Sequence, residues 1–397
     1  MIEHLLVEHT PSFLDLPVAV VDELHRSHAR HISASYGGAQ DRWEIRPSSF
    51  VGSLTVGEHR FRIQPKAGIR NVLAMMDVQV SSEQWSNDVT PQGSDPDFLA
   101  VMARVMCLAS EETTRRGVRR DYVSRQERLV SPRGRIDIAE IVRRPGLETP
   151  VPCRFDEHTV DVPLNRLIRA ALERARRVPA IGPGWQRRLM VQLGELEDAS
   201  GPLGDIDWVL RWDPGPMERH YESAVRLAHL ILLAVSLNSK VGETTASSFL
   251  VDMNALFEAW VGRRLRDALP DLEVIEQHST HLDTSSQIAL RPDLVIRSAG
   301  REIAVADCKY KLLEGGEARS ADYYQALAYA TALGLPEAWL IYARLPGQPE
   351  MNSVTVRHSG VQLRTFALDL SQGIDDAVNQ LNSFGTLAVA EKLVAQS

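Results

Sequence analysis

Three residues within positions 291–311 (RPDLVIRSAGREIAVADCKYK), namely Asp293, Asp307 and Lys309, have types and a spacing that could do chemistry. Residues 294–297 are a short β-branched run, Ser298-Ala299-Gly300 carries turn chemistry, and residues 302–310 alternate. The stretch therefore reads as a β-hairpin. The two-residue period of a strand puts Asp307 and Lys309 on one face, roughly 7 Å apart at the backbone. A three-residue loop at Ser298–Gly300 pairs Arg297 with Arg301, sets Asp293 opposite Val305, and leaves Asp293 diagonal to Asp307. A two-residue loop slips the register by one and sends Asp293 to the other face. The chemistry predicts the odd loop.

Two carboxylates and a lysine on one strand face suit a hard divalent cation, Mg²⁺ with Mn²⁺ as a substitute. Such an ion takes one or two carboxylates, keeps several waters and leaves room for phosphate oxygens. It would lower the pKa of a bound water and offset charge on a scissile phosphate, with Lys309 orienting or deprotonating that water. A surface hairpin with ordinary charges is the plainer alternative. Against it, Ala304, Val305 and Ala306 make the run into Asp307 apolar, and a carboxylate and lysine ending a buried strand are unusual. The following helix also carries Gln325 and Tyr329 at i, i+4 on one face, an amide and a phenol able to hydrogen-bond a phosphate or the metal's waters.

Pro292-Asp293 followed by Asp307-Cys308-Lys309 resembles the PD-(D/E)XK nuclease signature. That resemblance implies an acidic residue on the helix before the hairpin, for which Glu258 is the candidate. It also implies a metal held by Asp293, Asp307, Glu258 and the backbone carbonyl of Cys308, with the Cys308 thiol turned into the core.

The length allows two or three domains, and 44% apolar with 24% charged residues is ordinary for a globular protein. Three scattered cysteines, with no C-x-x-C pair, argue against a disulfide framework or a cysteine zinc site. The N-terminus lacks a signal pattern, and the most apolar run, residues 227–237, is too short to span a bilayer. A cytoplasmic protein without a membrane segment is expected. A net charge of −8 disfavours holding DNA unaided. Residues 241–397 hold 13 Lys+Arg against 20 Asp+Glu, net −7, whereas residues 114–144 hold 10 against 4, net +6. The presumed catalytic region is thus acidic, and DNA would have to be delivered to it. The basic segment, with Arg115, Arg116, Arg119, Arg120, Arg125 and Arg128, could track phosphates or face an acidic partner, or be a solvated helix end and loop.

The chain in order predicts an α/β fold, α+β overall. A β-rich N-terminal module (1–130) leads into a helical middle region (131–216), then a mixed sheet flanked by helices (217–397). A hairpin is expected around Gly57-Glu58, a loop at 91–97, and a linker at 200–216. His25, His28 and His31 are read as the solvated face of a helix over 18–31. Ser320 can N-cap a helix that Gly334 ends, giving a β-α-β crossover of right-handed sense. No G-x-x-x-x-G-K-[ST] is present, so the chain is not itself a P-loop NTPase.

Four stretches, namely Ile63-Gln64-Pro65-Lys66, Gly134-Arg135-Ile136-Asp137, SFLVDMNALFEAWV at 248–261, and the hairpin with its QALAY helix, together resemble McrC, the nuclease subunit of McrBC modification-dependent restriction systems. The resemblance spans roughly residues 40–345. It implies an N-terminal module docked on a hexameric McrB-like AAA+ GTPase, whose hydrolysis the chain stimulates. The partner would recognise modified cytosine and translocate double-stranded, methylated DNA, and this chain would cut with Mg²⁺. A stand-alone PD-(D/E)XK repair nuclease, or a non-catalytic activator of an AAA+ ring, are the alternatives.

Overall fold

The structure is a computed structural model that describes residues 1–37, 42–76, 98–143, 149–178, 181–200, 204–206, 208–209, 212–236, 249–310, 320–344, 351–370 and 373–394. Met1–Asp77 and Thr244–Ser397 form one compact unit, and Val78–Glu243 form another. This division differs from the three consecutive segments 1–130, 131–216 and 217–397 read from the sequence. Its cause is pairing between strands some two hundred residues apart, which leaves no local signal.

The N-terminal part of the first unit contains β1 (Ile2–Val7), β2 (Ser12–Leu14), α1 (Val18–Ser27), β3 (Ile32–Tyr36), β4 (Trp43–Pro47), β5 (Phe50–Val56), β6 (His59–Gln64) and α2 (Ile69–Met75). β5 and β6 form the hairpin expected at Gly57, which sits at φ +58. Helix α1 ends at Ser27, so the three histidines do not share a solvated face. His25 Nε2 lies 2.7 Å from the Ala34 carbonyl, and His31 packs edge-on against Phe50. Burial, followed by the nearby His28 and Arg30 charges, pushes the His31 pKa down to about 4.

The second unit holds α3 (Phe98–Arg115), β7 (Asp121–Leu129), β8 (Arg135–Ile136), α4 (Ile138–Arg143), β9 (Val151–Thr159), α5 (Pro163–Arg176), α6 (Pro183–Glu195) and α7 (Glu222–Ser236). Arg115, Arg116, Arg119 and Arg120 lie at the end of α3 and in the connection after it, as a helix end and loop would have them, but Arg125 and Arg128 belong to β7, which pairs along its whole length with β9. Its arginines meet carboxylates, Arg125 with Glu157 and Asp161 and Arg128 with Glu140. Gly134, at φ +70, abuts β9 so closely that a Cβ would come 2.4 Å from the Arg154 carbonyl oxygen. Only glycine fits there. The loop expected at 91–97 lies outside the described residues, as do residues 201–203, 207, 210 and 211 of the expected linker at 200–216.

Back in the first unit come β10 (Phe249–Asp252), α8 (Met253–Ala268), β11 (Glu273–Glu276), β12 (Thr280–His281), β13 (Ala289–Leu290), β14 (Leu294–Ser298), β15 (Arg301–Lys309), α9 (Ser320–Leu333), β16 (Glu337–Arg344), β17 (Met351–Thr355), β18 (Gln362–Asp369) and α10 (Ile374–Val394). Strand β10 adds to the N-terminal sheet in the order β1-β6-β5-β10. The larger sheet runs β11-β14-β15-β16-β18-β17. Its centre is parallel (β15-β16-β18) and its edges are antiparallel. Helix α9 connects the parallel neighbours β15 and β16, and Gly334 at φ +65 terminates it, with Leu335 N–H returning to the Ala330 carbonyl. Val295, Val305, Leu340 and Tyr342 pack with Ala326, Tyr329 and Ala330 of α9. Each large apolar side chain buried there contributes about 1.5–3 kcal/mol. The fold is α/β, with mixed sheets flanked by helices. No helix among the described residues is long and apolar enough to cross a membrane.

Candidate active site

The hairpin turn differs from the three-residue loop expected. Ser298 pairs with Arg301, so the loop is the two-residue Ala299-Gly300, both at positive φ (49° and 78°) as a type I′ turn requires. That turn alone would put Asp293 on the wrong face. A β-bulge then intervenes: Arg297 pairs with Glu302 but Ile296 pairs with Ala304, leaving Ile303 as the extra residue. Beyond it Leu294 pairs with Ala306, so the register carries Asp293 opposite Asp307. The bulge, not the loop length, restores the parity.

Asp307 lies two residues before the end of β15, within its buried run Ile303–Cys308, and is 1% exposed. Its Oδ2 lies 2.5 Å from Lys309 Nζ, while Oδ1 meets no donor among the described residues. Asp293 Oδ2 accepts the Cys308 backbone N–H at 2.8 Å. The Cys308 thiol itself is buried, and burial raises its pKa strongly. Gln325 Nε2 donates to the Tyr329 hydroxyl (2.6 Å), which donates to the Arg291 carbonyl (3.2 Å), two residues before Asp293. The QALAY helix is thereby anchored to the entrance of β14.

Helix α8 supplies Glu258. Asp252 caps it, accepting from the N–H groups of Asn254 (3.0 Å) and Ala255 (3.4 Å). Phe257, Trp260, Val261 and Leu265 bury its apolar stripe. Glu258 does not join the two aspartates directly. Gln277 stands between them, its amide donating to Glu258 Oε1 and, at 3.2 Å, to Asp293 Oδ1. Gln277 was not legible as a site residue. It sits just past β11 in a polar stretch, and its backbone φ of +53 has no sequence signal.

The electrostatics are those of carboxylates crowded out of water. Burial, then the Asp293 charge, pushes the Asp307 pKa up to about 7. Burial and then Glu258 raise that of Asp293. Burial raises Glu258 as well. For Lys309 burial works downward, but Asp307, Asp293 and Asp322 outweigh it, so the ammonium is held more firmly than usual. Two buried, mutually repelling carboxylates with an oxygen lacking a donor form a donor set that a cation relieves. Among the described residues no three His, Cys, Asp or Glu side chains converge as a metal cage.

A family profile described as McrBC 5-methylcytosine restriction system component matches residues 45–343, more than half of the chain. The chain belongs to this McrBC family. In structure, the McrBC-family chain is similar over 96% of its length to 98% of a chain from a Thermococcus gammatolerans assembly. That assembly is described as a refined half-complex from a tetradecamer of McrB AAA+ hexamers with bound McrC, and the match has a TM-score of 0.56 at 16% identity. A second match, to the cryo-EM structure of the Thermococcus gammatolerans McrBC complex, has a TM-score of 0.44 at 18% identity over 67% of this chain and 88% of that one. Comparison with curated proteins gives no match.

Proposed function

We propose that this McrBC-family chain is the metal-dependent endodeoxyribonuclease subunit of its system. The observation that carries the reading is the bulge-set opposition of Asp293 and Asp307, with Lys309 ion-paired to Asp307 on the same face. Asp293, Asp307 and the Cys308 backbone carbonyl would hold Mg²⁺, or Mn²⁺ in its place. When bound, the ion supplies charge neutralisation at a phosphate and a lowered pKa for water. Lys309, kept as an ammonium, orients the attacking water and balances charge growing on the phosphoryl oxygens rather than removing a proton. Gln325 and Tyr329 steady the segment that carries Asp293, and the Tyr329 hydroxyl lies in the field of Asp307. Glu258 assists from behind Gln277.

The partner follows from the same reading. An acidic catalytic region and the lack of a P-loop fit a chain to which DNA, double-stranded and methylated, is delivered by a McrB-like AAA+ GTPase hexamer that it stimulates. The test is plasmid cleavage with Mg²⁺ by the chain alone and with that GTPase, on methylated and unmethylated DNA. Cleavage only with GTPase, nucleotide and methylation supports the proposal. Robust cutting by the chain alone replaces it with a stand-alone repair nuclease. No cutting, with hydrolysis still stimulated, replaces it with a non-catalytic activator.

A further inference from the structure

Gln277 is joined to Asp293 twice. Its backbone N–H donates to the Asp293 carbonyl at 2.8 Å, and its side-chain amide donates to Asp293 Oδ1 at 3.2 Å. The second amide hydrogen is taken by Glu258 Oε1. An amide nitrogen carries two hydrogens, and ionised carboxylates only accept, so this bridge fixes which end of the amide faces the pair. The residue holds φ +53, a conformation that costs a non-glycine residue about 1 kcal/mol and persists only where its surroundings enforce it. It comes directly after Glu276, the last residue of β11 paired to β14, at the point where Asp293 would be its ladder partner.

Helix α8 is shaped to meet this point. Glu258, Gly262 and Arg266 recur at four-residue spacing on one face. Glu258 takes the Gln277 amide, and Arg266 Nη2 pairs with Glu276 Oε1 at 2.6 Å. A Cβ on Gly262 would come 2.8 Å from Glu276 Oε1, so the glycine leaves room for the Glu276 carboxylate. The other Asp293 oxygen is held by the Cys308 N–H. Each carboxylate oxygen keeps a further lone pair for a ligand.

We propose that Gln277 is a positioning residue for Asp293. It clamps the carboxylate rotamer for the cation, and Glu258 acts through it, as the group that orients the amide, rather than as a metal ligand. This inference rests on the nuclease reading. Groups that orient a metal ligand typically change metal affinity 10–100-fold when removed.

The test is isothermal titration of the full chain with Mn²⁺, alongside thermal unfolding, for wild type, Asp307→Ala, Gln277→Leu, and the exchange Glu258→Gln with Gln277→Glu. In the exchanged pair, the amide at 258 can still donate to the carboxylate at 277, so the contact between α8 and the end of β11 survives. The carboxylate at 277 has no hydrogen for Asp293. The expected result is roughly tenfold or greater loss of Mn²⁺ affinity in both Gln277 variants, with the exchange still folding cooperatively though below the wild-type unfolding temperature, because its new carboxylate faces Asp293. If the exchange restores Mn²⁺ affinity together with stability, Gln277 serves packing only and the proposal is overturned. Should Gln277→Leu fail to fold, the exchange alone decides. Wild-type affinity in the Gln277 variants, with binding lost in Asp307→Ala, overturns the positioning role and leaves the nuclease reading intact. Undiminished binding in Asp307→Ala removes the metal from this site and overturns both.

Discussion

Tyr310, the residue after Lys309, donates its phenolic hydrogen to Glu8 Oε1 at 2.8 Å, across 302 positions of sequence. The same oxygen accepts the Lys66 backbone N–H at 2.6 Å. Lys66 ends the Ile63-Gln64-Pro65-Lys66 stretch, so one buried carboxyl ties that stretch to the end of the strand carrying Asp307 and Lys309. Glu8 is fully buried, and burial pushes its pKa up to about 7, with the Lys66 and Tyr310 hydrogen bonds opposing.

That shift makes stability depend on pH. A carboxyl whose folded pKa lies above its unfolded value favours the fold while protonated. Its stabilising contribution is complete below the unfolded value near 4.5 and is lost as pH rises through about 7. Wild type should lose up to roughly 3 kcal/mol over this interval from Glu8. Glu8→Gln, which keeps an accepting oxygen for both donors, should reduce that slope in denaturant titrations between pH 5 and 8, leaving the part due to Asp307. An unchanged slope in the variant would show that Glu8 does not titrate in this window.

The hairpin turn offers a test of register. Ala299 stands at φ +49, where alanine is strained by about 1 kcal/mol and asparagine is better tolerated. Ala299→Asn should raise unfolding free energy by roughly 0.5–1 kcal/mol without altering metal binding. A loss of stability would contradict a two-residue turn here and, with it, the bulge at Ile303.

The strand β7 arginines are paired with nearby carboxylates, Arg125 with Glu157 on β9 and Asp161 just past it, and Arg128 with Glu140 on α4. Arg125→Glu sets three carboxylates against one another, with Glu157 and Asp161 as the original partners. The expected outcome is a loss of about 1–3 kcal/mol in stability, with DNA affinity and its salt slope unchanged. A reduced salt slope with wild-type stability would instead assign Arg125 to a phosphate contact.

The sequence made the hairpin, the D-x-K face and the β-α-β return legible because each rests on local period and turn chemistry. Three features did not show. The bulge at Ile303 is decided by how the β14–β15 hairpin packs, and its residues are ordinary strand formers. Gln277 acquires its place from a backbone flip and from helix α8, nineteen residues earlier. The union of the first 77 residues with the C-terminal part depends on β10 adding to β5, a pairing without a local signature. The histidines of 25–31 depart from the expected solvated face because α1 stops at Ser27, one turn short of His31, which packs against Phe50.

Under the proposed function, Asp307 serves DNA cleavage together with Asp293 and Lys309, separately from the chain's stimulation of its partner. The most direct measurement is a single reaction containing the chain, its AAA+ GTPase, Mg²⁺, nucleotide and methylated plasmid, in which DNA cuts and released phosphate are followed together. Asp307→Asn, a near-isosteric change, should lower cleavage by about 10²-fold or more while nucleotide hydrolysis stays stimulated as in wild type. Cleavage persisting at the wild-type rate in that variant would contradict the account.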